Sequence, residues 1–162
     1  MTDKTIDRRL FLFGGATLFL APLVGCGTRR LVGDGARMTR DAAPAFSEIR
    51  SSNALGSIRA DRELETAALE QAGHMAQSGR MAHDTGRGRD FAARMGRVTT
   101  NGAAAENLAR GRFDTARVMS VWMNSPGHRR NMLDPRFGRF GLAYVTDPAD
   151  ASRRYWAMVL AA

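Results

Sequence analysis

Two apolar stretches near the end of the chain restrict its fold more than anything ahead of them. Phe140, Leu142 and Tyr144 alternate with Gly141, Ala143 and Val145, which is the period of a strand, and Tyr155 to Leu160 is a nearly unbroken apolar run. Asp147-Pro148 through Ser152 lies between them as a hairpin loop. A strand that is apolar on both faces must be covered on both, so helices are expected on the two sides of a small sheet. With 162 residues the chain has the length of one domain with one core. It has 1 cysteine, Cys26, so no internal disulfide can form and the fold must stand on that core.

The helices that would cover the sheet are marked by caps and periodicity. Pro44 is placed to open a first helix carrying Phe46, Ile49 and Leu55 and ending near Gly56. Asp61 is a natural N-cap for a second, in which Leu64, Ala68, Ala72 and Met75 share a face and Gly79 is the stop. From 80 to 112 the glycines at 86, 88, 96, 102 and 111 divide the chain into loops, a short helical stretch near Asp90 to Met95 and a strand at Ala103 to Leu108. Asp114 caps a further helix with Val118, Val121 and Trp122 on its buried face. Ser125-Pro126 then starts another, which runs to about Leu133.

The first residues read differently. Arg8-Arg9 precede an apolar run from Leu10 to Val24, broken by Gly14-Gly15, and the segment resembles a twin-arginine export signal. A run of about 15 apolar residues is shorter than the roughly 20 a spanning helix needs, so cleavage is expected. Leu23-Val24-Gly25-Cys26 resembles a lipobox, in which the Cys26 thiol is acylated and the chain is cut before it. Acyl chains contribute about 0.8 kcal/mol per buried methylene, enough for several of them to hold a protein on a membrane. The expected division is an export signal at 1–25, a lipid-anchored tether at 26–43 and a domain at 44–162. The formal charge is +8, but the basic residues, all arginine except Lys4, are scattered, and doublets such as Arg129-Arg130 are too short for a nucleic-acid arm.

His74, His83 and His128 are the only histidines, and their spacing matches no local metal motif. His74 sits toward the edge of the apolar face of the second helix and reads as structural. Ser125-Pro126-Gly127 puts His128 in the first turn of a helix, where the positive end of the dipole disfavours imidazolium and leaves a neutral ring. Met81-Ala82-His83-Asp84, Ala105-Glu106-Asn107-Leu108-Ala109, the run from Trp122 through Ser125-Pro126-Gly127-His128 to Leu133, and Tyr155-Trp156 occur in this order. Together they resemble the CAP superfamily, also called SCP, of cysteine-rich secretory, antigen 5 and pathogenesis-related proteins, in its short bacterial form, over residues 44 to 162.

The resemblance implies an α+β fold, a three-layer α-β-α sandwich with a small, mainly antiparallel sheet between helices. It also implies a cleft where two histidines and acidic residues from distant segments converge. On matching positions these are His83, His128 and Glu106, which would hold Zn²⁺ or another divalent ion with an open position. Asn107 would lie at the cleft, with service to the backbone at a turn as its other reading, and Trp122 and Trp156 would be core and cleft-wall residues rather than substrate contacts. Larger members of the family have a second glutamate where Ser125 stands here, and Asp84 is the nearby substitute.

Three functions stay open on these residues. One is a noncatalytic binding module at the cell envelope for a metal, a lipid or a wall-derived ligand. Another is a zinc-dependent hydrolase with Glu106 as general base. The third is a structural envelope protein, in which the same constellation is a buried hydrogen-bond network. The expected partners are the membrane, through the lipid anchor, and a lipid or cell-wall-derived ligand, with no nucleic acid and the chain a monomer.

Overall fold

A computed structural model describes residues 34–98 and 102–162. The expected export segment with Arg8 and Arg9, the expected lipidation residue Cys26 and the expected tether up to residue 33 lie outside the described residues. The elements, in chain order, are β1 (Gly35–Arg37), α1 (Thr39–Ser51), β2 (Arg59–Ala60), α2 (Arg62–Ser78), α3 (Phe91–Met95), β3 (Ala104–Gly111), α4 (Thr115–Met123), α5 (Pro126–Met132), β4 (Arg139–Asp147) and β5 (Asp150–Ala161). The strands form one sheet in the order β1-β4-β5-β3, with the short β2 pairing in parallel beside β4 and all other pairings antiparallel. Among the described residues no helix is long and apolar enough to cross a membrane.

The sandwich expected from the sequence is present. Every residue from Tyr155 to Leu160 is fully buried, because β5 is the interior strand flanked by β4 and β3 and covered on both faces. One face carries Phe46, Val118, Trp122, Met132, Phe140, Leu142, Trp156, Met158 and Leu160, and is covered by α1, α4 and α5. The other carries Leu64, Ala68, Ala72 and Met75 of α2 against Leu108, Ala143, Val145, Tyr155, Ala157 and Val159. Burial of each large apolar side chain contributes about 1.5–3 kcal/mol, so these two clusters together supply the stability that a chain without disulfides requires.

Helix α2 begins and ends where its sequence signals place it. Asp61 accepts hydrogen bonds from the amides of Glu63 and Leu64, and Gly79 closes the helix in the left-handed region at φ 67°. The small residues on its inner face let it approach the sheet closely. Gly141 of β4 lies directly under Leu64 and Glu65, and a Cβ there would run into their backbone. No other residue fits that position.

Three expectations need correction. Pro44 does not open α1; it is inside a helix that begins at Thr39 and ends at Ser51, not near Gly56. The start is fixed by tertiary contacts rather than by a local cap. The Thr39 hydroxyl accepts from the Leu142 amide (2.9 Å), and the Thr39 amide donates to Glu65 Oε1 of α2 (3.2 Å). Pro44 falls beyond the first turn, where its missing N–H deprives the Arg40 carbonyl of its usual partner, and Arg40 is solvent-exposed. Residues expected to lie in a tether up to 43 belong instead to the fold, since β1 pairs with Ala143 to Val145 of β4 and α1 begins at Thr39. Finally, Ser125 occupies the N-cap position of α5, but its side chain makes no capping hydrogen bond; Pro126 alone marks the turn into the helix.

Candidate functional site

Strand β3 is an edge strand, and residue alternation sends Glu106 and Asn107 to opposite faces of the sheet. The two residues consequently enter different networks. The segments that meet around this edge are the loop after α2, which carries His83, the short α3, and α5, which carries His128.

On the α2 side the carboxylate of Glu106 is held from two directions. Arg94 Nη2 donates to Oε1 at 2.9 Å and to Oε2 at 2.7 Å. His83 Nδ1 lies 2.8 Å from Oε1. Both side chains of the Arg94–Glu106 pair are out of solvent, at 0% and 1% exposure, whereas that of His83 is 60% exposed. Arg94 is itself anchored: its Nη1 donates to the Arg89 carbonyl (2.6 Å) and its Nη2 approaches the His83 carbonyl (3.4 Å). Helix α3, only five residues long, exists to deliver this guanidinium, and Asp90 caps it by accepting from the Ala93 amide at 2.9 Å. Asp84, the expected substitute for a second acid, is spent locally, with Oδ1 accepting from the Gly86 amide.

On the opposite side Asn107 is fully buried and joins β3 to α5. Its Nδ2 donates to the His128 carbonyl at 3.1 Å, and its Oδ1 accepts from Asn131 Nδ2 at 2.9 Å. The His128 ring is half-buried, and its protonation is pushed below the ordinary range, first by burial and then by the charge of nearby His83. The rings of His83 and His128 are therefore near enough for their charges to repel, and burial favours the neutral form of His128.

Trp122 and Trp156 do not line a cleft. Both are fully buried in the core beneath α4 and α5. The indole of Trp122 donates to the Leu108 carbonyl at 3.0 Å, and Trp156 packs against Tyr144 with ring centroids 4.8 Å apart. Asn107 is also an internal brace and not a cleft wall. The residue that sequence reading missed is Arg94. Nothing local distinguishes it from the other arginines of the chain, and only the fold brings it to Glu106.

The zinc set of His83, His128 and Glu106 does not fit this arrangement. A metal ligand needs a free oxygen lone pair facing the ion, and here a buried guanidinium spans both oxygens of Glu106. Among the described residues no group of three or more His, Cys, Asp or Glu side chains is placed to hold a metal ion.

A layered α-β-α domain with histidines brought near each other from two distant segments, one of them on an edge-strand glutamate, defines a class of protein. The model of the cysteine-rich secretory protein family, CAP, matches residues 45–160, and the chain belongs to that family. It is 48% identical over 42 residues to the uncharacterized protein YkwD of Bacillus subtilis, a stretch that is 26% of this chain and 16% of YkwD. An outer surface protein of Borrelia burgdorferi has a similar structure, with a TM-score of 0.66 and 18% identity over 80% of this chain and 98% of that one. An extracellular protein of Bacillus anthracis that contains a SCP domain is also similar, with a TM-score of 0.67 and 23% identity over 76% of this chain and 39% of that one.

Proposed function

We propose that this chain is an exported CAP-domain lipoprotein, cut ahead of Cys26 and anchored there by acyl chains, whose domain is a noncatalytic binding module with its cleft around His83 and His128. The names of two structural relatives, an outer surface protein and an extracellular protein, support export. The paired arginines and the apolar run ahead of Cys26 support it independently.

The observation that carries the binding reading is the contrast within one hydrogen-bonded pair: His83 is open to solvent, while the Glu106 carboxylate that supports it is not. A general base must lie within hydrogen-bond reach of the proton it abstracts, and solvent water does not reach Glu106 past Arg94 and His83. What the site offers a visitor is two imidazoles. A lipid or a cell-wall-derived ligand is the class of molecule an envelope-anchored domain meets.

The test is a titration of the purified full-length chain with soluble peptidoglycan fragments and, separately, with phospholipid vesicles, followed at the ring resonances of His83 and His128. Saturable shifts at both rings, lost in His83→Ala, are expected with one of the two probes. Hydrolysis of either probe that stops in Glu106→Gln while binding persists would replace this reading with an enzymatic one. Fractionation of cells producing Cys26→Ser addresses the anchor: the protein is expected to leave the membrane or to remain unprocessed.

A further inference from the structure

The family resemblance leads one to expect a cation at Glu106, and the structure supplies one from the chain itself. A buried carboxylate without a counter-charge is strongly unfavourable, and the guanidinium of Arg94 satisfies it by bridging both oxygens inside the protein. Arg94 has no freedom to withdraw. Two backbone carbonyls, those of Arg89 and His83, hold it in addition to the carboxylate, and the Phe91 ring lies 5.9 Å from its central carbon.

The consequence passes to His83. Arg94 donates to both oxygens of Glu106, so the carboxylate is an acceptor, and the hydrogen in the 2.8 Å contact with His83 belongs to Nδ1. An imidazole that donates from Nδ1 to a carboxylate has its tautomer and its ring orientation fixed by that bond. In the neutral ring the lone pair is then on Nε2, the atom of this half-exposed side chain left for something outside the protein.

We propose that Arg94 stands at Glu106 in the place of a metal ion and sets His83 as the Nδ1–H tautomer, so that the cleft offers the Nε2 lone pair to a hydrogen-bond donor on its ligand, a hydroxyl or an amide N–H. Arg94 is on this account a positioning residue, acting on the ligand only through Glu106 and His83. The inference rests on the reading of the cleft as a binding site, but its test needs no ligand.

Two measurements on the full-length chain decide it. Long-range nitrogen–proton correlation spectra report the tautomer of each histidine directly, and His83 is expected as Nδ1–H in the wild type and as a mixture in Arg94→Met. Zinc titration by calorimetry is expected to show affinity rising about tenfold or more in Arg94→Met, because Glu106 is released to act as a ligand. The double variant Arg94→Met/Glu106→Gln removes both buried charges together and guards against misfolding of the single variant. It is expected to fold, to lose the fixed tautomer and to gain no zinc affinity. An Nε2–H tautomer in the wild type, or zinc bound as tightly by the wild type as by Arg94→Met, overturns the proposal. If both measurements come out as expected while neither peptidoglycan fragments nor vesicles move the ring resonances, the role of Arg94 stands and the binding reading falls.

Discussion

Among the described residues two arginines are fully buried, and they do different things. Arg50 of α1 ends on backbone alone: it donates to the carbonyls of Gly56, Met132, Asp134 and Phe137 at 3.0 to 3.1 Å. Those contacts tie α1 to the chain leaving α5 and lead nowhere else. Arg94 ends on a carboxylate, and that carboxylate ends on an exposed imidazole. A buried cation neutralised by peptide dipoles is a rivet of the fold. One neutralised by a side chain that also touches the surface is the foundation of a site.

The largest expected effect separates the two. Arg94→Met strands the charge of Glu106 in the core and is expected to cost about 3–5 kcal/mol in chemical denaturation, most of it recovered in Arg94→Met/Glu106→Gln. Arg50→Met leaves four carbonyls without their donors and is expected to cost about 2–4 kcal/mol. Its loss is not expected to be recovered by Asp134→Asn, since Arg50 contacts the Asp134 backbone and strands no buried carboxylate. Recovery there would mean that Arg50 also works through a side-chain charge, and the distinction would fail.

Acid should weaken the two regions at different pH. His128 titrates below its ordinary value because burial opposes its charge, so the folded state binds a proton less readily than the unfolded one. Its contribution is present above about pH 6.5 and is lost as pH falls through the folded value. On the Arg50 side the hydrogen bonds from Arg136 and its amide hold Asp134 down from 3.8 to about 2, so that contribution is present above 3.8 and lost toward 2. The Arg136 partner is largely exposed, and solvent screens the pair, so the lower limb is shallow. Denaturation curves against pH should lose the upper limb in His128→Gln and the lower limb in Asp134→Asn. The smallest change is His83→Ala: with its ring largely in solvent, it is expected to alter stability by less than about 1 kcal/mol while abolishing ligand-induced shifts at His128.

The layers of the fold were readable because they are written in local patterns: the two-sided apolar run of β5, the Asp61 and Gly79 ends of α2, and Pro126 at the start of α5. The start of α1 was not, because Glu65 and Leu142 set it from elsewhere in the fold. For the site, the run from Trp122 to Leu133 pointed to His128, which the fold brings near His83. The partner of Glu106 was hidden. Among 24 basic residues, scattered and nearly all arginine, nothing in sequence separates Arg94 from its solvated neighbours, and the candidate set of His83, His128 and Glu106 was drawn without it. Trp122 and Trp156, expected as core and cleft-wall residues, are core alone, since only packing decides how deep a large aromatic sits.

The indole of Trp122, donating to the Leu108 carbonyl on the outer border of β3, bears on how such domains behave in a crowd. At the opposite border β4 is occupied by β1 and β2 laid end to end, each three residues or fewer. Stubs of strand at that border, unlike a long flat edge, give a neighbouring chain little regular backbone along which to zip together.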